Sequence, residues 1–260
     1  MLTMYDNLAS IDVTSLQEKV YQSVRLALLK GHFQPGDTIS IRKLAEALGT
    51  SAMPVREALK RLIAEKALVQ SSSRQILVTP FDPQRHEEFI RIRMKLEGFA
   101  AERAAMVRDA GLVDRLAELN SAMNESAKQS KFEEALAANY DFHFEVYRAA
   151  GYPQLVEILE SLWVRAGPYL TMLGNLKPAN ALKSFDNGYK AHARVITAMA
   201  NRDSKEARRG IALDLRMATL YSREIYATQR IAQLNARPLD SVSSLRPRQP
   251  EDTDAVGRTV

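Results

Sequence analysis

Apolar residues recur every three or four positions along most of this chain, which is the helical period, and alternate over only one short stretch. Thr14 to Lys30 reads as a first helix, with a stripe of Leu16, Val20, Val24, Ala27 and Leu28; Gly31 caps it and Pro35-Gly36 turns the chain. From Ile41 to Leu62 the period supports two short helices. Leu44, Ala45 and Leu48 share a face on one of them, and Val55, Ala58, Leu59 and Leu62 share a face on the next. Gly49 allows the sharp turn between them, Ser51 is a natural N-cap, and Pro54 falls in the first turn, where its missing N–H costs little. Leu68 to Gln70 and Gln75 to Thr79 are β-like runs around Ser71-Ser72-Ser73-Arg74, which predicts a hairpin.

Asp82-Pro83 is a strong helix start, an N-cap followed by proline. From Pro83 to about Asn235 no strand signal interrupts the helical period. The spacing predicts helices over 83–106, 111–129, 131–150, 153–173, 182–200 and 204–232. Gly151-Tyr152-Pro153 and Asn201-Arg202-Asp203 separate helices, Asp203 with Glu206 fits a capping box, and Gly167-Pro168 is expected to kink or interrupt the fourth helix of this block. Residues 1–13 read as a loose arm. Residues 236–260, rich in Pro, Ser, Asp and Arg without periodicity, read as a disordered tail. The fold class is mainly α: a small helical unit with a β-hairpin over 14–80, then an all-α bundle over 81–235.

Charge sharpens this division. The whole chain carries a net +5, but between Ser40 and Gln75 seven Lys/Arg face three Glu, a net +4 in a short window. Arg42, Lys43, Arg56, Lys60 and Arg61 fall on the exposed side of the paired helices. Two helices about a glycine turn, the second one basic, describe a helix-turn-helix suited to phosphate and base contacts. A surface hairpin with a solvated charged face has the same period. There are no cysteines, so disulfides, thiolate metal sites and cysteine nucleophiles are excluded. With no apolar run long enough to span a bilayer and no signal-like N-terminus, a cytoplasmic protein without membrane partners is expected.

The run PVREAL (Pro54 to Leu59), preceded by LAEALG and by GHFQPGD (Gly31 to Asp37), resembles the winged-helix domain of GntR-family bacterial transcription regulators. The helical block resembles the FCD effector domain of the FadR-type branch, and the resemblance extends over roughly residues 14 to 230. It implies an N-terminal winged helix-turn-helix, a hairpin wing and a helical effector and dimerisation domain. It implies a homodimer on a near-palindromic double-stranded operator, with DNA contacts at Arg42, Ser51, Ala52 and Arg56 and a wing tip near Ser72 and Ser73. Lys60 and Arg61 read as phosphate contacts or solvated charges. Ala52 stands where many relatives have Arg, and Ser73 where the wing has Gly. Arg56 could instead pair with Glu57 or a neighbouring helix.

The same resemblance implies a metal site at Asn139, His143, His192 and Asp214. Asn139 and His143 are four apart and share a helical face. Asn replaces the usual Asp and Asp replaces a third His, so the formal charge of the set has moved rather than vanished. Two His, a carboxylate and an amide oxygen suit a divalent ion of the Zn, Ni or Mn class with an open position. A metal-free pocket with His143 as a hydrogen-bonded core residue is the alternative. Arg93 and Arg165 fall where relatives place pocket arginines, able to hold the carboxylate of a small organic acid; Arg93 and Glu97, also four apart, could simply pair. Trp163 and Tyr169 are expected to pack in the core. Rival readings are a repressor that senses the ion itself and a metal-dependent helical-bundle enzyme. Against the enzyme stands the lack of a nucleophile motif, a glycine-rich phosphate loop or HExxH.

Overall fold

A computed structural model describes residues 15–107, 109, 111–172 and 178–235. The expected arm (1–13) and tail (236–260) lie outside the described residues. The head begins with α1 (Leu16–Leu29), capped by Ser15, whose hydroxyl accepts from the Glu18 N–H at 3.1 Å. Val20, Tyr21, Val24 and Leu28 form its buried face, whereas Leu16 in the first turn is exposed. Next come α2 (Ile41–Ala47) and α3 (Ala52–Ala64). Gly49 between them has φ +61°, and the Thr50 N–H reaches back to the Ala45 carbonyl, closing α2. Val55, Ala58, Leu59 and Leu62 are all buried against α1, as their spacing requires.

The hairpin forms from β2 (Leu68–Gln70) and β3 (Ile76–Val78). A third strand, β1 (Thr38–Ile39), pairs antiparallel with β3, giving the order β1-β3-β2. Two residues are too few to show an alternating pattern, so β1 is visible only in the pairing.

The bundle consists of α4 (Pro83–Ala104), α5 (Leu112–Lys128), α6 (Phe132–Ala149), α7 (Pro153–Thr171), α8 (Pro178–Ala200) and α9 (Ser204–Asn235). Asp82 caps α4 as expected, accepting from the backbone of Gln84 and Arg85. The capping box at α9 is half made. Asp203 accepts from the Glu206 N–H at 2.9 Å, but the Glu206 carboxylate turns to Arg194 instead of reaching back. α8 begins four residues earlier than the spacing predicts, at Pro178.

Helix α7 is the exception to the sequence reading. It runs through Gly167-Pro168 without interruption to Thr171. Pro168 sits in its last turn, and the Thr171 hydroxyl donates to the Pro168 carbonyl at 2.8 Å. Gly167 serves packing. A Cβ there would stand 2.3 Å from the Leu28 carbonyl oxygen, so only glycine lets α1 lie this close. Val164, three residues earlier, is buried within the core of the head, and Arg25 on α1 pairs with Glu160 on α7 at 3.1 Å. Trp163 packs in the bundle core. One helix therefore belongs to both units.

Candidate functional site

The exposed side of α2 and α3 sorts its cations by partner. Arg42, Lys43 and Arg56 are exposed and carry no ion pair among the described residues. Glu57, the nearest rival for Arg56, is bonded to Lys60 at 2.8 Å instead. Arg61, expected at a phosphate or in solvent, instead turns back to hold the head together: it pairs with Glu18 at 2.7 Å and Glu65 at 3.3 Å, and lies 3.6 Å above the Tyr21 ring. Burial first, then the Glu65 hydrogen bond and charge, push the Tyr21 hydroxyl up to about 12, so it stays a donor to Glu65. Ser51 occupies the N-cap position of α3 but makes no side-chain cap bond, leaving its hydroxyl exposed beside Ala52. The wing tip carries Ser72 and Ser73 exposed. Its left-handed residue is Arg74 (φ +63°), one position after the expected Ser73, as in a three-residue hairpin loop.

Within the bundle, α4 to α9 enclose a cavity of about 50 Å³, room for roughly three or four waters. Its middle is apolar, with Ile90, Met123 and Phe185 among the walls. One end carries Arg93, Asn139, His143 and Asp214. His192 stands behind that end, buried and stacked on Phe142 with ring centroids 3.7 Å apart. Arg165 does not line the cavity; its guanidinium lies 4.6 Å above the Phe89 ring. Tyr169 packs against the buried Phe81–Met172 cluster and also lines the cavity.

Three of the four sequence-nominated ligands come together. The donor atoms of His143, His192 and Asp214 all lie within 4.8 Å of one another. His143 Nε2 is 3.2 Å from one Asp214 oxygen, and His192 Nε2 is 3.7 Å from the other. Ligand atoms on a tetrahedral shell of zinc-length bonds stand about 3.3 Å apart, so the spacing fits a divalent ion. Asn139 is one turn before His143, lines the same end, and has no side-chain hydrogen bond among the described residues.

Proton bookkeeping supports the same fit. Arg93 Nε donates to Glu97 at 2.5 Å, and the Tyr147 hydroxyl donates to the other Glu97 oxygen. Tyr147 has one proton, so its contact with His143 Nδ1, 3.0 Å away, requires the imidazole to donate. Nε2 then faces the Asp214 carboxylate either with a second ring proton or across a cation. A metal-ligating histidine typically uses its other N–H in this way. Both nitrogens of His192 are buried without a hydrogen-bond partner among the described residues, which suits a ligand of a divalent ion. Burial alone would raise the Asp214 carboxyl, but the His143 hydrogen bond and the two imidazoles hold it below its ordinary value.

Sequence reasoning missed His86. It sits on α4 two turns before Arg93, 4 % exposed, at the cavity wall, against the rings of Phe81 and Tyr169. Neither ring nitrogen has a partner among the described residues. Burial first, then the charges of Arg93 and Arg223, push its pKa down to about 4, against an opposing Glu87. The unfolded chain takes up this proton near 6.5 and the folded protein only near 4. The neutral ring thus contributes stability that is complete above pH 6.5, is lost as the pH falls through that window, and amounts to about 3 kcal/mol. Urea unfolding at pH 7 and pH 4 is expected to show a smaller loss in His86→Phe than in wild type by about that amount; equal losses would place the proton elsewhere.

Comparison with known proteins agrees with this architecture. Residues 16–78 match the family described as bacterial regulatory proteins, gntR family, and residues 88–216 match the FCD domain. The HTH-type transcriptional regulator McbR of Escherichia coli is 29% identical over 210 residues, 80% of this chain and 93% of that protein. The gluconate operon transcriptional repressor of Bacillus licheniformis is 23% identical over 185 residues, 71% of this chain and 76% of its own. Among solved structures, E. coli McbR/YncC superposes with a TM-score of 0.71 at 27% identity, covering 83% of this chain and 99% of that one. A putative transcriptional regulator GntR from Rhodococcus sp. RHA1 shares the fold, with a TM-score of 0.65 at 19% identity over 80% of this chain and 97% of its own. These relatives are transcription regulators, not enzymes. No helix among the described residues is long and apolar enough to cross a membrane. With head and bundle both matched, the chain belongs to the gntR family of bacterial regulatory proteins, as a transcription regulator with an FCD effector-binding domain.

Proposed function

We propose that the protein acts in the cytoplasm as a homodimer on a near-palindromic operator, and that a small organic acid bound beside a divalent ion controls how its two heads are held. Arg42, Ser51, Ala52 and Arg56 face the duplex, Arg56 as the base-reading fork, with Lys60 on a phosphate and Ser72 at the wing. His143, His192 and Asp214 hold the ion, with Asn139 offering its amide oxygen. The carboxylate of the acid meets the ion and Arg93. Arg165, stacked on Phe89 behind the wall, acts as a second pocket arginine by adding positive field.

The observation that carries this reading is the pair of orphaned His192 nitrogens beside the crowded His143–Asp214 contact, at the end of a cavity whose wall is α7. That helix supplies Ala166 and Leu170 to the cavity and Val164 to the head's core. A shift of α7 on ligand binding therefore moves α1, and through it α3.

After dialysis against a chelator, the protein is expected to take up one Zn²⁺, Ni²⁺ or Mn²⁺ per protomer by calorimetry, and His192→Ala to lose that heat. Equal uptake by both proteins would remove the ion from this site. The small cavity favours one second reading, in which the ion itself is the signal. Operator affinity that tracks the free ion with no acid present would select it.

A further inference from the structure

The same cavity carries a second polar group on its wall, two turns before Arg93 on α4. His86 lines it with both ring nitrogens unpartnered among the described residues, and at 4 % exposure no bulk solvent satisfies them. Leaving two polar atoms so placed is costly unless a partner arrives. Arg93 stands seven residues later on the same helix, about 10 Å along the axis. Ile90 lies between them at the apolar waist of the cavity. The two groups thus offer distinct chemistry: cationic at Arg93, and an unsatisfied neutral ring at His86.

We propose that His86 is a ligand-recognition residue which hydrogen-bonds a hydroxyl or carbonyl group at the far end of the effector. The effector is then a short-chain hydroxy or oxo monocarboxylate rather than a plain fatty acid or a dicarboxylate. This rests on the organic-acid reading above and narrows it. The ring is neutral at pH 7, because burial and the nearby arginines hold its pKa near 4. A neutral imidazole has one donor and one acceptor, whichever nitrogen carries the proton. A hydroxyl can bond either atom, and a carbonyl can accept from the donor. A second carboxylate would also use only the donor, and would have to shed its hydration shell to pass the apolar waist. The rings of Phe81 and Tyr169 hold the imidazole in place, at centroid distances of 4.9 and 4.8 Å, so recognition costs little ordering.

The test is calorimetry on the full-length, Zn²⁺-loaded protein with three matched series of two to four carbons, sized to the small cavity: ω-hydroxy acids, unsubstituted acids and dicarboxylic acids. Wild type is expected to prefer the hydroxy acid over its unsubstituted match by about tenfold or more, the worth of one buried hydrogen bond. His86→Phe, which keeps a ring and removes both nitrogens, is expected to bring that ratio to about one while leaving affinity for the unsubstituted acid intact. His86→Asn, with a donor and an acceptor restored, is expected to recover part of the preference. A wild-type ratio near one would overturn the proposal without any variant. So would a ratio that His86→Phe leaves unchanged. Binding of all acids alike refutes only the role of His86, whereas no binding by any acid in any series overturns the organic-acid reading together with it.

Discussion

Replacing Arg56 with alanine is expected to lower operator affinity between about thirtyfold and twenty-thousandfold in a gel-shift titration. One lost bidentate arginine–guanine contact costs about 1–3 kcal/mol, and a dimer on two half-sites loses it twice. Fold stability is expected to stay within about 0.5 kcal/mol, since the side chain is exposed and unpaired among the described residues. Lys60→Ala is the control. Its ammonium is already shared with Glu57, so the expected loss is smaller, uniform across sequences, and visible mainly as a shallower salt dependence. Arg56→Ala binding within twofold of wild type would mean that α3 does not lie in the groove as placed.

The contrast between Arg56 and Arg61 also shows what the sequence could convey. Both are cations on one helix, and the stripe of Val55, Ala58, Leu59 and Leu62 fixes the helix and its buried face. It does not fix partners. Arg61 is tied to Glu18, 43 positions away, and no local spacing announces that. The same limit divides the bundle. Every long helix was legible because its apolar period repeats over many turns, and Arg93–Glu97 was legible as a four-residue spacing. Tyr147, the third member of that group, meets Glu97 across 50 positions and was not. Gly167-Pro168 looked like a helix breaker because glycine and proline carry two meanings. The close passage of the Leu28 carbonyl chose between them. His86 gave no signal at all: a single histidine near a helix start becomes notable only when its nitrogens are seen to have no partner. The candidate ligands on α6, α8 and α9 came from family resemblance, and spacing alone would have joined only Asn139 to His143.

Truncating Glu97 to alanine should be the most destabilising single change in the bundle. Glu97 is fully buried, Arg93 is 3 % exposed, and the Tyr147 hydroxyl is buried beside them. Removing one partner of a buried ion pair costs about 3–5 kcal/mol, because the remaining charge loses its compensation. For a chain of this size that is a fall in Tm of roughly 6–20 °C, readable by calorimetry on metal-free protein. A shift under about 2 °C would show that water or another group already neutralises Arg93. Glu97→Gln separates stability from function. It keeps the volume and one acceptor oxygen, so the fold survives, but its amide no longer demands the Tyr147 proton as a carboxylate does. Tyr147 is then free to donate to His143 Nδ1, which disfavours the tautomer that leaves Nε2 open toward Asp214. Loss of such an outer partner typically weakens a metal site about 10- to 100-fold, and a drop of that size in Zn²⁺ affinity is expected. Because the same carboxylate also grips Arg93, the variant should weaken acid binding alongside the ion, coupling the two through one buried residue that touches neither ligand.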